Sequence, residues 1–307
     1  MKISNAYQFN RAVDQMTSVQ EKLAKTQAQM AAGKQVMQAS DAPDRAASIE
    51  RYKSLINRQD SYQNTLTSLS SRLQTEDTAL SAVGNLLVRM KELNVQAAND
   101  TLGASDRQAL AIEMTGLRDQ ILSLANTQDS SGNYIFGGSR VSAPPFASLN
   151  GASPVYVGDQ SRMQVPVGDQ RSVQLNRSGA EVFARVVRND AEGTPTGIGF
   201  FQVLDDAIAA VKGSKHSGMQ QSMAELDDLQ TNINLSRSQI GSDQNMVQAQ
   251  QDIVADTTLT LKNVLSGIED LDYASAVAKL NQQTLALQAA QGSFAKVSQL
   301  SLFNYIN

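Results

Sequence analysis

The chain opens and closes on the same pattern of apolar and polar positions. Near the start, Phe9, Val13, Met16, Gln20, Leu23, Gln27 and Met30 follow one another at alternating spacings of four and three. Near the end, Val277, Leu280, Thr284, Leu287, Gln291 and Phe294 do the same. That spacing predicts one stripe down a helix, the geometry of a coiled-coil seam. The glutamines and Thr284 interrupt each stripe at regular layers. A polar layer weakens the pairing of two isolated helices, because its hydrogen bonds to water must be replaced. Such a stripe is too apolar to leave in water and too polar for a strong core of its own. The expected resolution is many copies packed together, with these seam residues as the subunit interface. An intramolecular core is the competing reading.

Between the seams the pattern predicts more helix. The first helix spans 7–32, and Gly33 ends it, since glycine accepts the left-handed conformation there. Ser40-Asp41-Ala42-Pro43-Asp44 reads as a new start, with Ser40 or Asp41 as cap and proline in the first turn. One register then runs through Leu66, Leu69, Leu73, Glu76, Leu80, Val83, Leu87, Met90 and Ala97, with Asn94 as a polar layer. At 1.5 Å per residue this helix would be roughly 80 Å long. A loop around Gly103 precedes a third helix, capped by Ser105 and striped by Leu110, Met114, Leu117, Ile121 and Leu124. Asp129-Ser130-Ser131-Gly132 marks its end.

From 133 to 199 the texture changes to prolines, glycines and alternating apolar residues. Strands are expected at Tyr134–Phe136, Val155–Val157, Met163–Val167 and Val173–Leu175. The tetrapeptide VGDQ occurs at Val157 and again at Val167, and both copies read as hairpin turns built on Gly-Asp. Pro166 lacks an amide donor, which places its strand at an edge. Helix is expected again over 200–212, then over 219–266 with Leu226, Leu229, Ile233, Ile240, Val247, Val254, Leu261 and Val264 apolar. A break at Gly267 precedes the terminal helix from Tyr273.

The fold class this predicts is mainly α with a β insertion: a long antiparallel helical bundle rod, terminal coiled-coil helices and a small central β domain. Its expected domains are a terminal helical pair (1–40 with 266–307), a helical bundle (41–132 with 200–265) and a β-rich domain (133–199).

Composition narrows function by exclusion. Aromatic residues are 5% of the chain and tryptophan is absent, a balance suited to long helices rather than an aromatic-rich enzyme core. A net charge of −4 with no basic cluster gives no footprint for nucleic acid. Without cysteine, neither a disulfide framework nor a thiolate metal site is possible. No apolar run reaches the roughly 18 residues of a membrane span. The opening MKISNAYQFN lacks an apolar h-region and a small-residue cleavage site, so export by a Sec-type signal is not expected.

Candidate chemistry is thin. His216, the only histidine, sits in a Lys-His-Ser-Gly loop and reads as solvated. No nucleophile elbow, Walker loop or G-x-G-x-x-G motif is present. Glu269, Asp270 and Asp272 lack the alternating ligands and central glycine of a calcium loop, and their place before a helix favours a capping role. Asp159 and Asp169 belong to the Gly-Asp turns. No catalytic, cofactor or metal site is expected.

Several segments carry a resemblance. MKIS at Met1, GKQV at Gly33, TLGASDRQALAIEMTGLRDQILSLAN from Thr101, GNYIFGGSRVSAPPF from Gly132, SGIEDLDYASAV from Ser266 and LQAAQGSFAKVSQLSLFNYIN from Leu287 resemble the flagellin family. They look like its members that join hook to filament rather than flagellin itself, which usually ends in a leucine-rich run. The resemblance implies a structural junction protein of the bacterial flagellum, secreted through the flagellar type III channel and assembled as a ring. It implies ring neighbours, hook-associated protein 1, flagellin and an export chaperone as partners. It also implies terminal helices that line the tube and are disordered in the free subunit. Flagellin, the filament subunit, is the alternative. A helical signalling rod of the chemoreceptor type is a more distant one.

Overall fold

The computed structural model describes residues 2–148, 151–189 and 194–306, with side chains outside 2–6, 8, 189 and 297–306. The side chains of the MKIS and LFNYIN motifs therefore lie outside the described residues. The chain folds as two compact units, Gln59–Ala255 and Met1–Arg58 with Asp256–Asn307.

The core of the first unit rests on α2 (Pro43–Ala97) and α6 (His216–Glu269), which contribute 59–97 and 216–255 to it. On α2 the register read from the sequence is the buried stripe. Leu66, Leu69, Leu73, Leu80, Val83, Leu87, Met90 and Ala97 are all buried, and so are Glu76 and Asn94. On α6, Leu226, Leu229, Ile233, Ile240, Val247 and Val254 are buried at the same alternation, with Ser236 and Gln250 as polar layers. The two stripes belong to one cluster. Cross-links set their direction: Asn94 donates to the Met219 carbonyl at 2.8 Å, Lys91 meets Asp227 at 2.5 Å, and Arg237 donates to Asp77 at 3.0 Å. As numbers fall on α2 they rise on α6, so the helices are antiparallel. Burying a leucine of such a stripe contributes about 1.5–3 kcal/mol, which is why strict alternation fixes the register.

Two shorter helices complete the bundle. α3 (Ala104–Ala125) packs on α5 (Phe200–Lys212), and Arg118 holds Asp205 through two bonds of 2.9 and 3.1 Å. The N-cap of α3 is Gly103 rather than Ser105, and the Asp106 carboxylate accepts the Gly103 amide at 3.1 Å. Asp106, at the third helical position, satisfies the amide of the cap residue itself, which is one half of a capping box.

Among the described residues, the insertion between α3 and α5 holds three separate two-stranded antiparallel ladders. They are β1 (Phe146–Ala147) with β2 (Val155–Tyr156), β3 (Gln164–Gly168) with β4 (Arg171–Gln174), and β5 (Val186–Asn189) with β6 (Pro195–Ile198). A short α4 (Gly179–Val182) follows Ser178, whose hydroxyl accepts the Ala180 amide.

Two expectations fail here for local reasons. Tyr134–Phe136 is no strand but a tight turn whose Ile135 and Phe136 are buried. Ile135 is apolar because it fills the core, not because a sheet needs it. The VGDQ at Val167 does turn β3 into β4, whereas the copy at Val157 joins no hairpin. There Asp159 accepts the amides of Ser139 and Ser161 at 2.8 and 2.9 Å, closing a loop on Gly138. The Ser139 hydroxyl, and after it these two amides, hold its carboxyl down at about 2. The insertion packs through rings: Phe146 lies 5.4, 5.2 and 5.2 Å from Tyr156, Phe183 and Phe201.

The second unit contains α1 (Lys2–Ala32) and α7 (Tyr273–Ile306), with the first part of α2 and the last part of α6. Gly33 ends α1 with a φ of 67°, the left-handed cap expected of it. Asp41 does not cap α2. Its carboxylate turns back to accept the amides of Met37 and Gln38 and to pair with Lys25. α6 runs through Gly267 without a break and stops at Glu269.

Candidate assembly interface

Both predicted seams lie on α1 and α7, and these two helices pack antiparallel. Phe9 meets Phe294 at a ring-centroid distance of 5.0 Å, and at the other end the Tyr273 hydroxyl donates to the Met30 carbonyl at 3.0 Å. Val13, Met16, Leu23 and Met30 are half-buried, and so are Leu280, Leu287 and Phe294. Phe9 and Val277 remain 43% exposed. Gln20, Gln27, Thr284 and Gln291 are exposed on the flank.

The positions covered in place of those four are their immediate predecessors. Val19, Gln283 and Ala290 are half-buried and Thr26 is buried. The slide by one residue keeps the seven-residue repeat, since Thr26 follows Val19 and Ala290 follows Gln283 at that spacing. Covering Val19 in place of Gln20 avoids desolvating an amide. Thr26 satisfies its hydroxyl on the Lys22 carbonyl, and Thr284 on that of Leu280. Gln283 is the costly member, since its buried Oε1 has no hydrogen-bond partner.

The contact is thin. Among the described side chains of α1 and α7, only Thr26 and Ala276 are buried. Leu285 is 68% exposed and Tyr7 equally so. The apolar seam residues of this pair thus keep much of their surface in water, unlike the stripes of α2 and α6.

A clamp fixes where the pair begins. The Gln35 amide donates to the Glu269 carbonyl at 2.7 Å, and the Leu271 amide to that of Gly33 at 3.0 Å. The buried Glu269 carboxylate takes Lys34 at 2.7 Å and Lys53 at 3.2 Å, and this pairing holds its pKa below the ordinary glutamate value. Asp272 accepts the Ser275 hydroxyl and the amides of Ser275 and Ala274, the helix-start role expected of it, and those bonds, the hydroxyl's first, lower its pKa too. Asp270 faces the Ser266 hydroxyl. Among the described residues no group of three His, Asp or Glu could hold a metal, and no helix is long and apolar enough to cross a membrane. His216 opens α6, with its Nδ1 3.7 Å from Asp100.

Two long helical ends that meet, with inserted material between them, match known proteins. The bacterial flagellin N-terminal helical region matches residues 3–140, and the bacterial flagellin C-terminal helical region matches residues 223–306. The chain belongs to the flagellin family. At full length it is similar to Flagellar hook-associated protein 3 of Escherichia coli (strain K12), 28% identical over 99% of both chains. Flagellin B of Vibrio anguillarum matches over less, 20% identical across 74% of this chain and 77% of its own. In structure, a putative flagellar hook-associated protein from Vibrio parahaemolyticus shares the fold with a TM-score of 0.67 and 21% identity, covering 75% of this chain and all of that one.

Proposed function

We propose that this chain is a structural junction protein of the bacterial flagellum, seated between hook-associated protein 1 and flagellin and assembled as a ring of identical subunits. The observation that carries the reading is the half-open seam of α1 and α7. Two helices that meet along a heptad stripe yet leave Leu285, Phe9 and Val277 in water have apolar surface for further helices. The flank residues Gln20, Gln27, Thr284 and Gln291 then meet neighbouring copies, where amides and hydroxyls find partners. Residues 1–40 with 266–307 are the part that lines the tube, 41–132 with 200–265 the bundle, and 133–199 a β-rich domain of its own. The likeness to hook-associated protein 3 along the whole chain favours a junction over a filament subunit. Export in an unfolded state, with a chaperone masking α7, accounts for an apolar terminal helix travelling through the cell.

Deleting the gene tests this. A junction protein's loss leaves cells without filaments that still release flagellin monomers into the medium. Filaments of normal length on the mutant would overturn the reading, and loss of all flagellin from both cells and medium would favour the filament-subunit alternative.

A further inference from the structure

Glu76 stands in the middle of an aliphatic stripe. Its side chain is 1% exposed, and neither carboxylate oxygen has a hydrogen-bond partner. Two guanidinium groups approach without bonding it. Arg72, one turn earlier on α2, is 3.4 Å away, and Arg177, from the segment between β4 and α4, is 3.7 Å away. Each arginine is engaged elsewhere through its terminal nitrogens, although the buried Nε of Arg72 that faces Glu76 has no hydrogen-bond partner. Arg72 donates to the Ile135 carbonyl at 2.8 Å and to Asp129 at 3.5 Å. Arg177 donates to Gln239 at 3.0 Å and pairs with Asp243 of α6. Asp77, the next residue on α2, is committed to Arg237 of α6.

The charges around Glu76 therefore balance without it: two arginines against Asp129 and Asp243. With a proton on Glu76 the cluster is neutral. Without one, a buried site holds an excess negative charge that no donor bonds. The arginines lose little when Glu76 is neutral, since both keep another carboxylate. The cluster also sits where three parts meet: α2, α6 and the insertion, which reaches in through Asp129, Ile135 and Arg177.

We infer that Glu76 is a proton-dependent latch: while protonated it lets the insertion close on α2 and α6, and its ionisation loosens that junction. Burial pushes this carboxyl up to about 7, against the opposing pull of Arg72 and Arg177 and with a small push from Asp243. The sign follows from linkage. The folded chain holds this proton more tightly than the unfolded chain, so the contribution is full below the ordinary value of 4.5 and is lost as the pH rises to about 7.

Hydrogen exchange on the full-length protein tests the latch, read as protection factors at 129–136 and 174–179. Protection is expected to fall roughly tenfold or more between about pH 5.5 and about pH 8.5. Glu76→Gln, neutral throughout, should keep the acid-side protection at both ends of that range. A carbon-13 titration of the wild-type Glu76 carboxyl should show a midpoint well above the ordinary glutamate range. An ordinary midpoint, or the same pH profile in wild type and Glu76→Gln, would overturn the proposal. A Glu76→Gln chain that fails to fold would also overturn it, because a neutral group would then not suffice.

Discussion

Lys34 reaches across from the end of α1 to Glu269 at the end of α6, and their charged atoms lie 2.7 Å apart. Lys53 of α2 shares the same carboxylate at 3.2 Å. Backbone bonds on either side, Gln35 to Glu269 and Leu271 to Gly33, make this the point from which α1 and α7 run side by side. Pairing two helices costs loop-closure and ordering entropy. A fixed start removes part of that cost and sets which layers face each other.

Glu269→Gln is therefore expected to loosen the start of the α1–α7 pair. Both lysines are substantially exposed, so solvent screens the charge and the loss is about 1 kcal/mol. The pH dependence has a definite sign. Because pairing lowers the Glu269 pKa, its stabilisation is present above the ordinary glutamate range and is lost as pH falls through the lowered value. Amide exchange at 33–36 and 269–271, measured for wild type and Glu269→Gln across the acid range, checks this. Wild type should lose protection on acidification, and the variant should start lower and change less.

Gly138 has a φ of 70° and lies against Asp159. A Cβ there would meet both the carboxylate and the carbonyl of Asp159, in a backbone conformation that L residues rarely adopt. Gly138→Ala is expected to destabilise the insertion by about 2 kcal/mol or more, read as a lower urea midpoint in full-length protein. Gly151→Ala is the useful contrast. It also has a positive φ, but nothing stands within 4 Å of its Cβ position, so it carries the backbone cost alone.

How far the sequence reached depends on the range of the forces involved. The α2 stripe from Leu66 to Ala97 was legible residue by residue, because a helix buried along one side repeats its demand every three or four positions. The insertion was not. Phe136, Phe146, Phe183 and Phe201 meet across sequence gaps that no local period records, and β5 and β6 carry no alternation strong enough to mark them. Ile135 and Phe136 look like strand residues because burial and strand formation draw on the same residue types. The terminal seams stand between these cases. Heptad counting found Met16, Leu23, Leu280 and Leu287, but the choice between Gln20 and Val19, or Gln27 and Thr26, turns on the cost of covering an amide, which spacing alone does not show.

The seam separates two kinds of substitution. Leu280 and Phe294 touch the pair itself, so Leu280→Asp or Phe294→Asp is expected to leave Gln59–Ala255 folded while blocking incorporation into flagella. Gln27 and Gln291 are exposed, so Gln27→Glu or Gln291→Glu should change the monomer's stability by no more than the roughly 0.5 kcal/mol usual for a surface substitution. If these glutamines meet neighbouring copies, the same variants should still assemble poorly, since a carboxylate placed in a closed interface is costly. Complementation of motility in a deletion strain, alongside melting of the purified chain, reads both halves. Normal assembly of Leu280→Asp and Phe294→Asp would remove the seam from the interface.

Exchange along the whole chain tests the same physics without mutation. Local opening costs little where few apolar side chains are covered. In α2 and α6, stripes of buried leucine, isoleucine and valine must be exposed before the amides can open. In α1 and α7, opening the described portion exposes only two fully buried side chains, Thr26 and Ala276, together with half-covered ones. Amides of 9–30 and 277–294 in the free monomer are therefore expected to exchange at least about a hundredfold faster than those of 66–97 and 226–254, a gap of about 3 kcal/mol or more. The clamp at Glu269 should show intermediate protection. Once subunits are assembled, 9–30 and 277–294 should become as protected as the bundle, because sister helices then cover Leu285, Phe9 and Val277. Equal protection of the ends and the bundle in a dilute monomer would mean that α1 and α7 are complete without neighbours, and the assembly reading of the seam would fail.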